Sequence, residues 1–366
     1  MDSPLDKVPG YQTIRVTAPP TWDAARADEQ AWQARDVYPD LCFAGGPVFG
    51  VAHERDQGGW ELHGYFTNLF PQDARDSMGP CFRKMAQEHP EDSASRTECL
   101  RAAERLDWEA VDEITVLGTR YRVVRADQFL RSGPYGPEPP RATDPDPGGP
   151  GRSDGRPDPA EGFVIDPVTA TGMSEGILKL ELLEAMRQRG SVPSEVRDDL
   201  ARAMRTHPGG VLVPPTFIIG ELTRGRWGPV TVAASPNPQA ARNSLVSHLR
   251  VWIPYEQDLG PDQRVIFATA ADTVEEERAN EVTVAGRRFR IVRVERLVRI
   301  GLDGPEGPRP SDPDPHPPVM VQAQQLPPHR EEDENKPIEL SDDTERLARL
   351  FHEEEARLKA RRPTAK

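Results

Sequence analysis

Residues 114–147, ITVLGTRYRVVRADQFLRSGPYGPEPPRATDPDP, recur later in this chain as residues 282–315, VTVAGRRFRIVRVERLVRIGLDGPEGPRPSDPDP. The two stretches align without a gap at an offset of 168, and 18 of their 34 positions are identical. Many of the remaining pairs keep their chemistry, as Tyr121 and Phe289 do. A match of this length within one chain predicts a tandem duplication, so the architecture is interpreted first as two related copies.

The repeat extends upstream at lower similarity. Trp60 aligns with Trp227 at an offset of 167, as Pro71-Gln72 does with Pro238-Gln239. Each copy then covers about 105 residues, which is the size of an ordinary domain. The element order predicted for each copy is β-β-α-α-β-β, an α+β fold in which helices cover one face of an antiparallel sheet. We expect the two copies to be related by a pseudo-two-fold axis.

A β-hairpin is predicted near the end of each copy. Tyr121 and Val123 have strand spacing after a turn at Leu117-Gly118, and the second copy has its equivalent turn at Ala285-Gly286. Glycine at the same place in both turns predicts a positive φ there, because other residues resist that conformation.

The remaining elements follow from hydrophobic spacing and from helix-breaking residues. Gly79-Pro80 is expected to interrupt or kink the helix that begins at Pro71, because proline lacks the amide hydrogen that a helix interior needs. The second copy has Val246-Ser247 at that place, so its helix is expected to run unbroken to about Trp252. The other predicted elements are a short strand at 11–16, a helix at 22–35, a strand hairpin at 47–54 and 60–67, and helices at 94–106, 174–189 and 193–206, of which the 174–189 helix carries an apolar stripe of Ile177, Leu180, Leu183 and Met186.

The domain organisation follows from the repeat and from shifts in composition. Prolines cluster after each copy, with nine in 134–159 and seven in 305–318. The polar composition that follows Pro318 predicts disorder. The predicted segments are a first repeat domain at 8–147, a Pro/Gly linker at 148–160, a helical connection at 161–210, a second repeat domain at 211–318, a disordered linker at 319–340 and a C-terminal amphipathic helix at 341–362.

Composition limits the class of partner. The 366-residue chain carries a net charge of −14, which opposes sequence-independent binding to a phosphate backbone. No apolar run approaches the ~18 residues that span a bilayer. The first residues lack the basic and apolar regions of a secretory signal. We therefore expect a cytoplasmic protein with neither a nucleic-acid nor a membrane partner.

The three cysteines, Cys42, Cys81 and Cys99, all lie in the first copy. The second copy has none, so no disulfide is part of the shared scaffold, and a reducing compartment is expected. Cys81 aligns with His248, and no base with an orienting partner is evident at a suitable spacing. A buried or partly buried thiol is therefore favoured over a nucleophile.

Arginines that recur in both copies are the candidate ligand-binding residues. Alternation along a strand places Arg120 and Arg122 on the face opposite Tyr121 and Val123. Two such hairpins are predicted to line a cationic groove between the copies, because guanidinium groups bind carboxylate or phosphate ligands. The alternative is a solvated sheet face whose arginines pair with nearby Asp and Glu. The candidate arginines of the two hairpins are Arg120, Arg122, Arg125, Arg288, Arg290 and Arg293.

Four further candidates recur at matched positions outside the hairpins. Trp60 and Trp227 are expected to be core anchors, and the alternative is a platform on which a ligand stacks. Arg75 and Arg242 lie on matched helices and are candidates to face a shared cleft, whereas the alternative is an ordinary helix surface.

Motifs for metals fail on their own spacing. Asp144, Asp146 and Gly148 begin a calcium loop, but Gly155 stands where a bidentate Glu is required. The pair His352-Glu353 lacks the second His of a zinc protease motif. No metal and no cofactor are therefore predicted. An alternative role for the proline-rich segments TDPDP (143–147) and SDPDP (311–315) is to bind the aromatic groove of a partner protein.

Four segments carry a resemblance to a known family: GGPVFGV (45–51), PQDARDS (71–77), VLGTRYRVVR (116–125) and GPEPPRATDPDP (136–147). They are similar to segments of a family of uncharacterised actinobacterial proteins that is defined by a domain of unknown function. The resemblance covers most of residues 8–318 and implies no activity.

The sequence leaves the activity unknown and favours a non-enzymatic intracellular binding or scaffold protein with a protein partner. Both copies keep hydrophobic and arginine positions, but no nucleophile, base or metal set recurs in both. The alternative is an enzyme or sensor that binds a small anionic ligand in the arginine-lined groove between the repeats.

Overall fold

Helices and antiparallel strands alternate along the chain, which confirms the predicted α+β class. The computed structural model describes residues 14–149, 158–187, 192–230, 233–325 and 341–360. The helices are α1 (Trp22–Val37), α2 (Pro71–Gln87), α3 (Ala94–Trp108), α4 (Met173–Arg187), α5 (Ser194–Thr206), α6 (Pro238–Ser247), α7 (Ile253–Glu256), α8 (Pro261–Glu277), α9 (Val319–Gln325) and α10 (Asp342–Ala360).

The strands of these described residues range from two-residue pairings to three strands of 15 residues, β5, β8 and β11. They are β1 (Asp40–Phe43), β2 (Val48–Glu54), β3 (Trp60–Asn68), β4 (Glu113–Val116), β5 (Thr119–Gly133), β6 (Gly136–Pro137), β7 (Val164–Ile165), β8 (Gly209–Thr223), β9 (Arg226–Pro229), β10 (Glu281–Val284), β11 (Arg287–Gly301) and β12 (Gly304–Pro305).

The chain divides into two compact units, and each unit combines segments from both halves of the sequence. Each domain predicted from the sequence is instead one continuous stretch of the chain. The described residues of unit 1 fall within Met1–Tyr135, Pro157–Pro215 and Val294–Pro327, and those of unit 2 within Gly136–Arg156, Thr216–Arg293 and Pro328–Lys366.

Unit 1 is built on an antiparallel sheet in which β7, β3, β2, β5 and β11 are neighbours in that order, and β4 also pairs with β5. The second half of β11 pairs with β5 in a register that sets Gln128 opposite Arg296. Helices α2 and α3 pack on this sheet. Their shared core includes Phe49, Met78, Phe82, Leu106 and Tyr121.

Unit 2 has a sheet in which β9, β8, β11 and β10 are neighbours in that order. Helices α6 and α8 contribute to one core cluster with the apolar residues of these strands. This core includes Phe217, Leu245, Phe267, Phe289 and Ile291.

The two predicted hairpin turns have the expected backbone. Gly118 has φ 81° and Gly286 has φ 75°, so the prediction of a positive φ at both glycines is confirmed. The preceding residues, Leu117 and Ala285, also have positive φ values of 51° and 49°. Two successive positive φ angles define a type I′ turn, whose twist matches that of the flanking strands.

Helix α2 continues through Gly79-Pro80 to Gln87, so of the predicted interruption or kink, the interruption was wrong. A proline inside a helix removes one backbone hydrogen bond and costs about 3 kcal/mol. Met78 and Phe82, on either side of the pair, are fully buried in the core. Burial of two such side chains offsets a cost of that size.

The matching helix of the second copy runs past Trp252 without a break, as predicted, but its hydrogen-bond pattern changes on the way. It leaves the α-helical pattern after Ser247, forms a π-helical turn at His248–Trp252 and resumes as α7. Ile253 donates its amide to the carbonyl of His248, five residues earlier. Pro254 supplies the physical reason, because a proline has no amide for the α-helical hydrogen bond and its ring crowds the preceding turn.

The apolar stripe predicted for α4 is confirmed only in part. Met186 is buried and Leu183 packs against the same cluster, but Leu180 is 58% exposed and Ile177 is half-buried. Leu178 and Leu182, which the stripe left out, are buried. The buried side packs with residues of β5, α5 and β11 in one cluster. The helix has apolar residues on more than one side, so its sequence alone did not determine which side is covered.

Parts of the predicted connections differ from expectation or lie outside the described residues. Residues 319–325 form α9, in a segment predicted to be disordered, while residues 326–340 are not described. The linker is described except for 150–157. Of the N-terminal strand, residues 11–13 are not described, and Val16 makes an isolated parallel bridge with Thr171. The predicted C-terminal helix is present as α10.

Candidate functional site

The recurring arginines lie in two groups, and each group contacts an acidic tail that follows a long strand. In unit 1, slot 1 is formed by Arg75, Arg122 and Arg125 and is occupied by tail 2, residues 303–315. In unit 2, slot 2 is formed by Arg242, Arg290 and Arg293 and is occupied by tail 1, residues 136–147.

At one end of slot 1, Arg122 on β5 contacts the first residues of tail 2. Its guanidinium donates to Glu113 Oε2 at 2.6 Å, to Asp303 Oδ2 at 2.6 Å and to the carbonyl of Pro305 at 3.0 Å. It also lies 4.8 Å from the ring centroid of Trp60. A Cβ on Gly304 would overlap the indole of Trp60, so glycine permits the tail to approach this closely.

In the middle of slot 1, Arg125 is buried with two carboxylates. Its Nε donates to Asp312 Oδ2 at 2.9 Å and its Nη1 to Asp127 Oδ2 at 2.8 Å. The side chains of Arg125 and Asp312 are 3% and 5% exposed. Burial alone would lower the pKa of Arg125, but Asp127 and Asp312 outweigh it and hold that pKa above its ordinary value. Arg125 therefore stays charged, and its backbone amide also donates to the carbonyl of Glu306.

At the other end of slot 1, tail 2 caps a helix. Helix α2 begins after Phe70, which makes no side-chain capping hydrogen bond. Asp314 accepts from the backbone amide of Gln72 at 3.0 Å and from Arg75 Nη1 at 2.5 Å. Arg75 also donates to Asp112 at 2.8 Å. A carboxylate at this place satisfies a free helix amide and lies at the positive end of the helix dipole.

Slot 2 repeats the first of these contacts with tail 1. Arg290 donates to Glu281 Oε2 at 2.6 Å and to the carbonyl of Pro137 at 2.8 Å. It lies 5.1 Å from the ring centroid of Trp227. A Cβ on Gly136 would overlap the Trp227 indole. These residues are the equivalents of Arg122 and its partners at offsets of 168 or 167.

The acidic end of tail 1 repeats the other two contacts. Arg293 donates to Asp144 Oδ1 at 3.0 Å, and its backbone amide donates to the carbonyl of Glu138 at 2.9 Å. Arg242 pairs with Asp146, which also accepts from Arg278 at 2.7 Å. Burial opposes ionisation of Asp146, but the hydrogen bonds from Arg278 and Arg242 lower its pKa.

One difference separates the slots. The second contact of Arg75 in slot 1 is the carboxylate of Asp112, whereas Arg242 in slot 2 donates to the amide oxygen of Asn280 at 2.7 Å. Within the described parts of the chain, Asp146 is the one carboxylate that pairs with Arg242. Slot 2 therefore depends on its tail for charge balance more than slot 1 does.

All ten residues predicted from the sequence lie in or beside the slots, five with each tail. Arg120 pairs with Glu113 and Asp303 at the rim of slot 1, and Arg288 pairs with Glu281 beside slot 2. The arginines pair with carboxylates, as the alternative interpretation expected, but Arg122 and Arg125 are buried and not solvated. A role in binding an anionic ligand stays a prediction.

The sequence pattern did not identify the tails as partners of the arginines. The Asp-Pro-Asp-Pro segments were predicted to end the two repeat domains and were considered only as a calcium loop or a proline-rich ligand, although they recur at the same offset as the arginines. The arginines and the aspartates have the same spacing in both copies, and this shared spacing could have identified them as partners.

A separate aromatic cluster lies on the β2-β3-β5 part of unit 1. The rings of His53 and His63 are 4.6 Å apart, and each is 5.9 Å from the Tyr121 ring. Burial, followed by the neighbouring His53, lowers the pKa of His63. Burial raises the pKa of the half-buried Cys81 thiol. Across the described ranges, no three His, Cys, Asp or Glu side chains are grouped so as to hold a metal ion.

Together these features define an α+β protein whose buried arginines bind acidic tails from distant parts of the same chain. The chain belongs to a family of unknown function, DUF5954, which it matches over residues 23–315. Both slots and both tails fall inside the matched range, and α10 falls outside it. No curated protein and no solved structure shows detectable similarity to the chain.

Within the described part of the chain, the helices fall short of the length and apolar character that crossing a bilayer requires.

Proposed function

We propose that this is a non-enzymatic cytoplasmic binding or scaffold protein, built from two copies of one ancestral unit that exchange their acidic tails. The observation that supports this proposal is the recurrence of the tail contacts. Each slot uses equivalent arginines to bind equivalent atoms of a tail, although the tails are separated by 168 positions in sequence. The contacts with this recurrence are Arg122 with Pro305 and Arg290 with Pro137, Arg125 with Asp312 and Arg293 with Asp144, and Arg75 with Asp314 and Arg242 with Asp146.

The pairing of β5 with β11 supports the duplication. Gln128 lies opposite Arg296, which is its own equivalent at the offset of 168. Two identical strands related by a two-fold axis pair in this way, each residue at the axis facing its own copy. We infer that the ancestor was a homodimer in which each subunit placed its tail in the slot of the other.

A binding role follows from the chemistry of the slots. Paired arginines, a helix N-terminus and a tryptophan face recognise an acidic peptide in a defined conformation. The two copies share these recognition groups, whereas no nucleophile with its base recurs in both. The proposed partner is therefore a protein, and the part of it that binds in the slot is an acidic segment.

The alternative is an enzyme or sensor that binds a small anionic ligand through the same arginines. The two proposals differ in what a free anion does. If tails are the ligands, anionic metabolites should not raise the melting temperature in a manner that depends on Arg122. If a metabolite is the ligand, it should raise the melting temperature of the wild type by mass action.

Thermal shift measurements with a library of anionic metabolites test this difference. The comparison is made on the ligand-induced shift of each protein, so a lower melting temperature of Arg122→Ala does not affect it. A shift that the wild type shows and Arg122→Ala loses would reject the proposal and favour the alternative. Shifts that are absent, or equal in both proteins, are the expected result.

A further inference from the structure

We infer that slot 1 is a binding site for acidic Asp-Pro-Asp peptides and that its partner in trans is the tail of a second copy of this chain. The inference rests on the proposed function and extends it from contacts within one chain to contacts between chains.

Slot 1 recognises two carboxylates at a fixed spacing. Asp312 is bound by Arg125 through both of its oxygens, at 3.1 and 2.9 Å. Asp314 is bound by Arg75 and by the first free amide of α2. The proline between the two aspartates restricts the backbone and favours an extended conformation. The slot is therefore specific for carboxylates two residues apart, which a single anion does not provide.

The arginines of slot 1 keep a resident carboxylate when the tail leaves. Arg75 retains Asp112, Arg122 retains Glu113 and Arg125 retains Asp127. Leaving a buried charge without a partner is strongly destabilising. Because each arginine keeps one partner, slot 1 can open without that cost.

Slot 2 lacks this property at one position. Arg242 has Asn280 where Arg75 has Asp112, so departure of Asp146 removes its carboxylate partner among the described residues. Because of this difference, slot 1 can exchange its tail, whereas slot 2 stays closed on its tail.

Tail 2 carries its own conformation into the slot. Arg309 donates to both oxygens of Glu306, at 2.7 and 2.8 Å. The amide of Arg309 donates to Asp312 Oδ2 at 2.7 Å, and the amide of Asp312 donates to the carbonyl of Arg309 at 2.9 Å. A ligand that is already ordered loses less conformational entropy on binding.

The same chain supplies the partner. Every copy carries tail 2, and the equivalent Asp-Pro-Asp of tail 1 is identical in sequence. Tail 2 already occupies slot 1 within one chain, so the same segment of a second copy has the matching shape and charge. Within the chain the local tail competes at an effective concentration of about millimolar or higher, so exchange requires its release.

A labelled peptide with the sequence of residues 303–316 tests the inference by fluorescence anisotropy. The receptor is the full-length variant Asp312→Asn/Asp314→Asn, in which the local tail is weakened as a competitor. We expect this variant to bind the peptide on the order of tenfold more tightly than the wild type does. A peptide in which Asp312 and Asp314 are replaced by asparagine should not bind.

The matched control is Asp342→Asn/Asp343→Asn, which removes the same charge from exposed positions of α10. It should bind the peptide no better than the wild type. Equal binding by all three proteins, or equal binding of a scrambled acidic peptide, would overturn the inference.

Hydrogen exchange on the unmodified chain keeps the test valid if the double variant does not fold. Excess peptide should accelerate exchange in residues 306–312 while the amide of Gln72 stays protected by the incoming aspartate. Unchanged exchange in residues 306–312 would contradict the inference. The proposed function would survive that failure if the two halves of a cleaved chain stay associated, because that association does not require exchange between molecules.

Discussion

At the residue scale, the two slots differ because slot 2 has the amide of Asn280 where slot 1 has the carboxylate of Asp112. Asp146→Asn leaves the buried guanidinium of Arg242 with neutral partners, whereas Asp314→Asn leaves Arg75 paired with Asp112. We predict a loss in the free energy of unfolding of about 2–4 kcal/mol for Asp146→Asn and about 1 kcal/mol for Asp314→Asn. Urea denaturation of the two variants measures the difference.

A second substitution isolates the cause. Asn280→Asp restores the carboxylate that slot 1 has at Asp112, so it should recover most of the stability lost in Asp146→Asn. If Asn280→Asp fails to rescue, or if Asp314→Asn is the more harmful variant, charge balance is not what distinguishes the slots.

A buried histidine makes stability depend on pH. Burial, followed by the nearby charge of Arg287, lowers the pKa of His248 to about 4 from 6.5. The unfolded chain therefore binds a proton before the folded chain does as the pH falls. His248 therefore leaves the free energy of unfolding unchanged above about pH 6.5 and lowers it as the pH falls towards 4, by about 3 kcal/mol in all.

The measurement compares unfolding free energies at pH 7 and pH 4.5 for the wild type and for His248→Phe. The variant should lose less stability between these values, because it has no proton to bind. His352→Phe, at an exposed position of α10, is the control and should behave as the wild type does. Identical pH profiles for His248→Phe and the wild type would contradict the assignment.

At the scale of elements, the hairpin turns carry a backbone requirement that can be separated from packing. A Cβ on Gly286 would meet no atom within 4 Å, so any cost of Gly286→Ala comes from its φ of 75°. We predict a loss of about 1–2 kcal/mol in thermal or urea unfolding. Ala285→Asn is the matched control, because asparagine tolerates the left-handed conformation of that position. A loss in the control equal to that in Gly286→Ala would show that packing decides.

Ion pairs join helix α10 to the rest of unit 2. Arg357 donates to both oxygens of Glu275, at 2.8 and 2.7 Å, and the Glu275 side chain is 3% exposed. Leu350 is the buried residue of the helix. Arg357→Gln should speed hydrogen exchange across residues 342–360, and Arg349→Gln, at an exposed position of the same helix, should leave it unchanged. Equal protection in both variants would mean that the ion pair does not hold the helix.

The α+β class and the turns could be predicted because they depend on local patterns. Alternation and glycine position describe β4 and β5 without reference to the rest of the chain. The π-helical turn after Ser247 depends on Pro254, seven residues later, which the residues at the turn do not reveal. The covered side of α4 depends on neighbours from β5 and β11 that its own sequence does not reveal. Local periodicity therefore predicts elements better than it predicts their partners.

At the scale of the whole molecule, the slots explain why the arginines were recognised and their partners were not. Arg125 and Asp312 are 187 positions apart, and Arg293 and Asp144 are 149 apart. Each pair joins one predicted copy to the tail of the other, so either copy taken alone lacks the tail aspartate that its arginine binds. The repeat itself held this information, because both sets recur at one offset.

If the two copies exchange tails, each copy should hold the other after the chain is cleaved between them. A specific protease site placed within the predicted linker at 148–160 allows the folded chain to be cut into two fragments. Each fragment then supplies a tail to the slot of the other. We predict that the cut fragments elute together in size-exclusion chromatography under native conditions and separate only in denaturant. Fragments that separate at once in native buffer, each still folded, would contradict the exchange of tails.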